Sequence, residues 1–332
     1  MAPIIRLSRA TGWALRRKAR PAGTKIEKTT EHEMRPPNAI DFWRGVALVM
    51  IFVNHIPGVG YSVLTLRQFA ISDAAELFVF LAGCSLAFVV NGRSEPRPLG
   101  EVVMRLLIRT FEIWRAQIVT ISIALAMLGG SAIAFTDPLF LEWHGAGPAF
   151  SDTVRASIGM VLLSYQIGYF NILPLYVVLL LLASVFVLLS RWSLALALAA
   201  SLALYAATLA LQLTLPSWPA EGCAVAIGAV GVVIVGIDYR PDPMNVPWPR
   251  YFFLFDKEYL SPVRILSMVA IAIAFYPAFP VLSRWLGPVV RYCSSLGRNS
   301  LAVFCVASLL ALAGQIARYI GEPTFLLDTG IV

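Results

Sequence analysis

Residues 156–190 read ASIGMVLLSYQIGYFNILPLYVVLLLLASVFVLLS and carry no charged side chain. About 20 apolar residues in an α-helix cross a bilayer core of roughly 30 Å, so this segment is long enough to span a membrane. It is apolar on every face, whereas helices that cover the core of a soluble protein keep a polar stripe toward water. The segment therefore predicts a membrane-embedded helix and disfavours a large soluble protein.

A polar stretch divides this segment, which is too long for one simple span. Residues 164–171, SYQIGYFN, together with Pro174 predict a break between two helical parts. We expect the first part to lie along the membrane interface. Tyr165, Tyr169 and Tyr176 would then sit in the headgroup belt, where aromatic rings with a polar tip are enriched.

Seven further windows without charge set the fold class. They are residues 45–66, 77–92, 116–136, 192–220, 222–237, 265–283 and 299–317. Hydrophobic residues make up 58% of the chain, charged residues 14%, and the mean hydropathy is +0.76, well outside the composition of soluble domains. We predict an all-α, polytopic transmembrane helical bundle with about eight spans, within a range of about eight to ten.

The net charge of +7 comes from the N-terminal arm. Residues 1–40 hold nine Lys or Arg and three acids, whereas the remainder holds seventeen and sixteen. Basic segments beside a first span stay on the cytoplasmic side, so we predict a cytoplasmic N-terminus. The arm has no apolar core of signal-peptide length, which makes the first hydrophobic segment a retained span. It shows no stacking or groove-reading motif, so nucleic acid is not an expected partner.

The distribution of basic residues over alternate loops supports eight crossings. With the arm inside, the inner segments hold twenty Lys or Arg and the outer segments five. One loop disagrees, because Arg284, Arg291 and Arg298 fall on the outer side in this count. An additional re-entrant piece would return them to the inner side.

The first window and its entrance carry polar residues that lipid cannot solvate. At about 100° per residue, Asp41, Arg44 and His55 fall within roughly a 60° stripe, with about 16 Å of rise between Arg44 and His55. That face must point into the bundle or a water-filled cavity. Asp41 and Arg44 either serve a site or form an ordinary i,i+3 salt bridge that anchors the helix end.

His55 is the strongest catalytic candidate. It follows Asn54 and precedes Pro57, and the other two histidines are His32 in the arm and His144 in a loop. An imidazole exchanges protons near neutral pH, as a general base must, although a buried histidine that only ties helices together remains the alternative. The four cysteines show no metal-ligand spacing, so no metal site is predicted.

Asp73 and Glu76 open the next window with capping-box spacing. In that arrangement Asp73 accepts from the Glu76 backbone N–H and the Glu76 carboxylate reaches back to the cap. The short 57–72 connection also returns this helix start toward His55. A carboxylate beside an imidazole orients it and stabilises its charged form, so we expect the two acids to support His55.

These residues resemble the OpgC family, a branch of the membrane acyltransferase-3 superfamily that succinylates osmoregulated periplasmic glucans. The matching blocks are Asp41-x-x-Arg44-Gly45, FVNHIPG at 52–58, SDAAELFVFLAG at 72–83 and ILPLY at 172–176, with weaker echoes in LGRNSL at 296–301 and Asp256-Lys257. The resemblance runs through most of residues 35–317. It implies a transmembrane acyltransferase domain at 41–318 and a C-terminal tail at 319–332 that stops short of further spans. The basic arm at 1–40 lies outside the resemblance, and we expect it to be disordered.

The resemblance implies an enzyme of the bacterial inner membrane that moves an acyl group, expected to be succinyl, from cytoplasmic acyl-CoA to a periplasmic glucan. Acyl-CoA is a co-substrate, and no permanently bound cofactor is implied. His55 matches the catalytic histidine and Arg44 the motif arginine, whose fork suits phosphate or carboxylate; Asp41 and Asn54 lie in the same blocks. We also nominate Arg105 and Arg109 for the CoA phosphates.

The chain departs from the family at three places. Residues 221–228 read EGCAVAIG where a Trp-Phe-Asn-Pro segment is expected. Gln117 stands where a histidine is expected, and Asn171 where an aspartate is common. Two other functions stay open: a transporter or flippase that uses the same charges as a pathway, and a structural membrane partner without a catalytic role, which the altered 218–237 segment favours.

Overall fold

The computed structural model of the chain describes residues 38–91, 98–211, 262–275, 277–321 and 324–332. Within these ranges the backbone forms α-helices and short 3-10 helices and contains no strand, which confirms the all-α class. The basic arm up to residue 37 and the 221–228 departure lie outside the described residues.

The helices follow the charge-free windows. Before the long gap they are α1 Ala39–Asn54, α2 Leu66–Phe69, α3 Ala74–Asn91, α4 Leu99–Ala134, α5 Gly147–Ser151, α6 Thr153–Val161, α7 Ile172–Trp192 and α8 Leu194–Leu211. After it they are α9 Pro262–Phe275, α10 Ala278–Trp285, α11 Gly287–Arg298, α12 Ser300–Ile320 and α13 Phe325–Ile331. Short 3-10 helices occupy Gly60–Leu64, Pro138–Leu141 and Trp143–Gly145.

Membrane-spanning character is clear in part of the bundle. In the described ranges α4, α7 and α12 are each long and apolar enough to cross a bilayer. The pair α9 and α10, bent by 47°, forms a fourth candidate, and the apolar parts of α3 and α8 are shorter. The chain is thus a helical membrane protein, while the count of about eight spans stays a prediction.

Helix α1 lies inside the bundle, in contact with α3, α11 and α12. Its buried residues occupy several faces; they are Phe42, Gly45, Ala47, Leu48, Ile51 and Val53. The approach to α11 is close enough to need glycine on both helices. A Cβ on Gly45 would lie 1.9 Å from the Cys293 carbonyl oxygen, and a Cβ on Gly297 would lie 1.8 Å from that of Asp41. Backbone contact between the two helices therefore fixes the position of α1.

Helices α1 and α12 run parallel. Arg44, near the start of α1, donates to Ser300 at the start of α12, and Gln315, near the end of α12, donates to the backbone carbonyl of His55. Ser300 therefore lies on the same side of the bundle as Arg44. The eight-span alternation places the start of the last span on the opposite side, so that orientation was wrong. The reversal brings Arg298 back to the side of the predicted cytoplasmic arm, in agreement with the positive-inside rule.

The predicted break in residues 156–190 is confirmed, since α6 ends at Val161 and α7 begins at Ile172. The predicted headgroup position of the tyrosines is wrong. Tyr165 is 1% exposed and donates to the Gly145 carbonyl, while Tyr169 and Tyr176 donate to the carbonyls of Ser308 and Phe78. These hydroxyls find backbone acceptors inside the protein, so they tie the loop to the bundle rather than face the lipid headgroups.

We expect Gly45→Ala and Gly297→Ala to destabilise the protein by at least about 1–3 kcal/mol, because the new methyl group meets backbone atoms that cannot give way. Gly83→Ala is the matched control: Gly83 lies within α3, and a Cβ there meets nothing within 4 Å. Alanine also favours a helix over glycine by about 1 kcal/mol. We measure apparent Tm values in detergent, with size-exclusion chromatography as the readout of folded protein. The Tm should fall for the first two variants and not for the third. Equal Tm values for all three would contradict the close α1–α11 contact.

Candidate functional site

Arg44 reaches from α1 into the space between α3 and α12. Its Nη2 donates to Ser300 Oγ at 3.1 Å, and its guanidinium carbon lies 5.7 Å from the centroid of the Phe78 ring, within cation–π range. Asp41 and Arg109 both lie within electrostatic range of the charge. The structure therefore brings three of the predicted substrate-binding residues to one end of the bundle.

Polar atoms at this end are buried with unused hydrogen-bonding capacity. Asp41 caps α1 through its backbone N–H, which donates to Asn38 Oδ1 at 2.7 Å. Its Oδ2 and the Arg44 Nε are buried without a hydrogen-bond partner in the described ranges, and the two residues form no direct ion pair there. Arg298 Nε and Ser294 Oγ on α11 are also buried and have no hydrogen-bond partner among the described residues. Because buried polar groups are normally satisfied, this end is suited to a polar or anionic ligand more than to anchoring.

His55 caps the far end of α1 and is held from two directions. Its ring stacks on Tyr169, with centroids 4.2 Å apart and an interplanar angle of 20°. Gln315 donates from Nε2 to the His55 carbonyl. The loop that follows the break at Val161 and the C-terminal part of α12 therefore orient the predicted catalytic residue together.

His144 lies beside this arrangement, although the sequence indicated only a loop histidine. Its Nε2 lies 2.7 Å from Gln315 Oε1, and its ring meets the edge of Tyr169 at 5.2 Å. Since Gln315 donates to His55 from its amide nitrogen, its oxygen faces His144, which must donate from Nε2. Burial lowers the pKa of His144 below 6.5, against an opposing effect of the Gln315 hydrogen bond, so the imidazole is neutral at pH 7. The sequence alone gives no sign that His144 belongs to this site, because its contact with Gln315 joins residues far apart in the chain.

Gln117 and Asn171 occupy the positions where the family resemblance leads us to expect a histidine and an aspartate. Gln117 is 2% exposed and donates from Nε2 to the Phe170 carbonyl at 3.0 Å. Phe170 stacks on Tyr169, so Gln117 supports the loop that carries the His55 partner. Asn171 is the cap residue of α7 and makes no side-chain capping bond.

Asn54 has a local structural contact. Its Oδ1 accepts from Thr65 Oγ1 at 2.8 Å, which ties the 57–72 connection to the end of α1. A direct contact of Asn54 with substrate stays a prediction.

The predicted capping box at the start of α3 is confirmed. Asp73 Oδ1 accepts from the backbone N–H groups of Ala75 and Glu76, and Glu76 Oε2 accepts from that of Asp73 at 3.3 Å. Glu76 also forms a buried ion pair with Arg264 of α9 at 2.5 Å. The sequence does not predict this ion pair, because Glu76 and Arg264 are far apart in the chain. Support of His55 by the two acids stays a prediction.

Arg105 and Arg109 lie on the charged N-terminal half of α4. They form exposed ion pairs with Glu101 and Glu112, each at 2.7 Å. Exposed pairs of this kind are weak, so a phosphate group can compete for the guanidinium groups. Among the residues that the structure describes, no group of three or more His, Cys, Asp or Glu is placed to hold a metal ion.

We expect Glu76→Gln to destabilise the protein by about 3–5 kcal/mol, because it leaves Arg264 as a buried charge without its carboxylate. Arg105→Gln breaks an exposed pair and should cost less than about 1 kcal/mol. The double variant Glu76→Gln, Arg264→Gln should be more stable than Glu76→Gln alone. Apparent Tm values of the four proteins test this, and a Glu76→Gln variant as stable as Arg105→Gln would contradict the buried pair.

We expect His144 to make the protein less stable in acid. Its lowered pKa keeps the folded form neutral, while the unfolded chain takes up a proton below about pH 6.5, so stability falls as the pH drops through that value. The decrease in Tm between about pH 7.5 and about pH 5.5 should be smaller in His144→Gln than in the unaltered protein. An identical decrease in both proteins would show that His144 is not the group responsible.

Comparison with known families agrees with these blocks of residues. The family model described as OpgC protein matches residues 37–225 and 220–332, and so covers the whole helical region. No curated protein and no solved structure matches the chain. The chain belongs to the OpgC family, a family of glucan-modifying membrane proteins.

Proposed function

We propose that this chain is an integral membrane O-acyltransferase of the inner membrane, which moves a succinyl group from cytoplasmic acyl-CoA to hydroxyl groups of a periplasmic glucan. The observation that carries the proposal is the placement of Arg44 and His55 at opposite ends of one buried helix. Helix α12 contacts both residues, at Ser300 and at Gln315. The donor and the acceptor can therefore approach from the two sides of the bundle.

The Arg44 end suits the acyl-CoA donor. The buried Arg44 and Arg298 nitrogens without partners in the described ranges offer hydrogen bonds to the carboxylate of a succinyl group. Arg105 and Arg109, at the start of α4, are exposed enough to meet the CoA phosphates. The unsatisfied Asp41 oxygen accepts a hydrogen bond from the amide groups of the donor arm.

The His55 end suits the proton transfer. His55 removes the proton from a glucan hydroxyl as the oxygen attacks the thioester carbonyl carbon, which forms a C–O bond. The C–S bond then breaks, and the CoA sulfur takes the proton from His55, so the imidazole returns to its neutral form. Tyr169 and Gln315 hold the ring and the backbone of His55 during both steps. Of the two acids at the start of α3, Asp73 is the proposed carboxylate that favours the charged imidazole, since Glu76 is already paired with Arg264.

A transporter or flippase would use the same polar groups along α1 as a pathway. Release of CoA distinguishes the two functions: the purified enzyme should release CoA from succinyl-CoA only when glucan is present. Movement of glucan or acylated substrate into vesicles without CoA release would instead support transport.

We expect His55→Ala to abolish succinylation while the protein accumulates to its normal level, because it removes the imidazole that takes the hydroxyl proton in the proposed reaction. Mass spectrometry of periplasmic glucans from cells that carry each variant measures this directly. His32→Ala is the matched control, since His32 lies in the basic arm, and it should leave the succinyl content unchanged. Unchanged glucans in the His55→Ala strain would remove His55 from the mechanism.

A further inference from the structure

A cleft of about 420 Å³ opens at the His55 end of the bundle. Its lining residues are Pro57, Trp143, His144, Gln315, Arg318 and Tyr319. The volume lies within the range of roughly 300–1,000 Å³ that is usual for small-molecule sites. Pro57 follows His55 by two positions, and Gln315 bonds to the His55 carbonyl, so the cleft adjoins the proposed base.

Two aromatic rings form rigid walls of the cleft. The Trp143 and Tyr319 centroids are 5.2 Å apart at 87°, and both rings pack against the fully buried Phe140, at 4.8 Å and 5.2 Å. Tyr319 is fixed further because its hydroxyl donates to Asp137 Oδ2 at 2.8 Å. Flat aromatic faces held in place match the C–H face of a sugar ring, which lies against them without losing hydrogen bonds.

The polar groups of the cleft carry little net charge. Arg318 is ion-paired with Asp328 and donates to the Gly58 carbonyl, and His144 is neutral because burial lowers its pKa. An anion would therefore gain little here. The Gln315 amide uses one N–H and one oxygen lone pair in its bonds to His55 and His144, which leaves one donor and one acceptor. Such a pair matches hydroxyl groups, which both donate and accept.

We propose that this cleft is the acceptor subsite, in which Trp143 stacks on a glucosyl ring, the perpendicular ring of Tyr319 forms the adjoining wall, and Gln315 and Arg318 bind the sugar hydroxyl groups. The inference rests on the proposed function, because it supplies that reaction with its acceptor. Gln315 then has two tasks: it binds the sugar and holds the backbone of the base. A sugar bound in the cleft lies at the same end of the bundle as His55, because Pro57 and Gln315 line the cleft and adjoin that residue.

The test is equilibrium dialysis of labelled, unsuccinylated periplasmic glucan against the purified full-length protein in detergent, without acyl-CoA. Trp143→Ala should weaken glucan binding at least tenfold, whereas Trp143→Phe, which keeps an aromatic face, should retain most of it. Trp192→Ala is the matched control, because Trp192 lies at the end of α7 and is 85% exposed. It should bind like the unaltered protein. In CoA-release kinetics, Trp143→Ala should raise the KM for glucan more than it lowers kcat.

The outcomes separate the two proposals. If Trp143→Ala elutes as the folded protein and binds glucan as tightly as Trp192→Ala, the subsite is overturned while the acyltransferase function stands. Absence of glucan binding by the unaltered protein also overturns it. If glucan binds through Trp143 but no CoA is released, the subsite is supported and the acyltransferase proposal fails.

Discussion

The cost of placing the Arg44 guanidinium in lipid governs the arrangement of this bundle. Insertion scales put a charged side chain at the centre of a span at about 2.5–3.5 kcal/mol, so α1 must turn that face toward protein. Helices α3, α11 and α12 supply the contacts, and the backbone approach at Gly45 and Gly297 brings α11 close enough to bury the start of α1. A short, central helix with polar groups at both ends is the result.

Because α1 and α12 run parallel, α12 contacts a different polar residue at each end of α1. At one end Ser300 accepts from Arg44, and at the other Gln315 donates to the carbonyl of His55. Between them α1 contributes buried apolar residues such as Leu48 and Ile51, which exclude water. In the proposed reaction this separation keeps the thioester away from periplasmic water until the glucan hydroxyl arrives. In the same proposal the flexible arm of CoA carries the acyl group along α1 while the nucleotide stays with the arginines of α4.

The sequence predicted features that depend on local pattern and missed those that depend on neighbours. Capping-box spacing located the Asp73 cap correctly, and a polar stretch located the helix break before Ile172, because both follow from residues close in the chain. The ion pair of Glu76 with Arg264 and the burial of Tyr165 depend on partners from distant segments. Counting charges over alternate loops gave the wrong orientation for α12 for a related reason: the parallel run of α1 and α12 is set by contacts between residues far apart in the chain.

In the proposed reaction, glutamine at position 117 leaves the proton transfer to histidines elsewhere in the chain. An amide at that position holds the loop through the Phe170 carbonyl, so it keeps the structural task, but it cannot take up a proton at neutral pH. The imidazoles in the described ranges are those of His55 and His144, and Gln315 bonds to both residues. Because Gln315 contacts His55 through the backbone carbonyl, it orients the base without relaying a proton to its ring. In the proposed reaction the proton passes from the glucan hydroxyl to His55 and then to the CoA sulfur, and Gln315 has no part in that transfer.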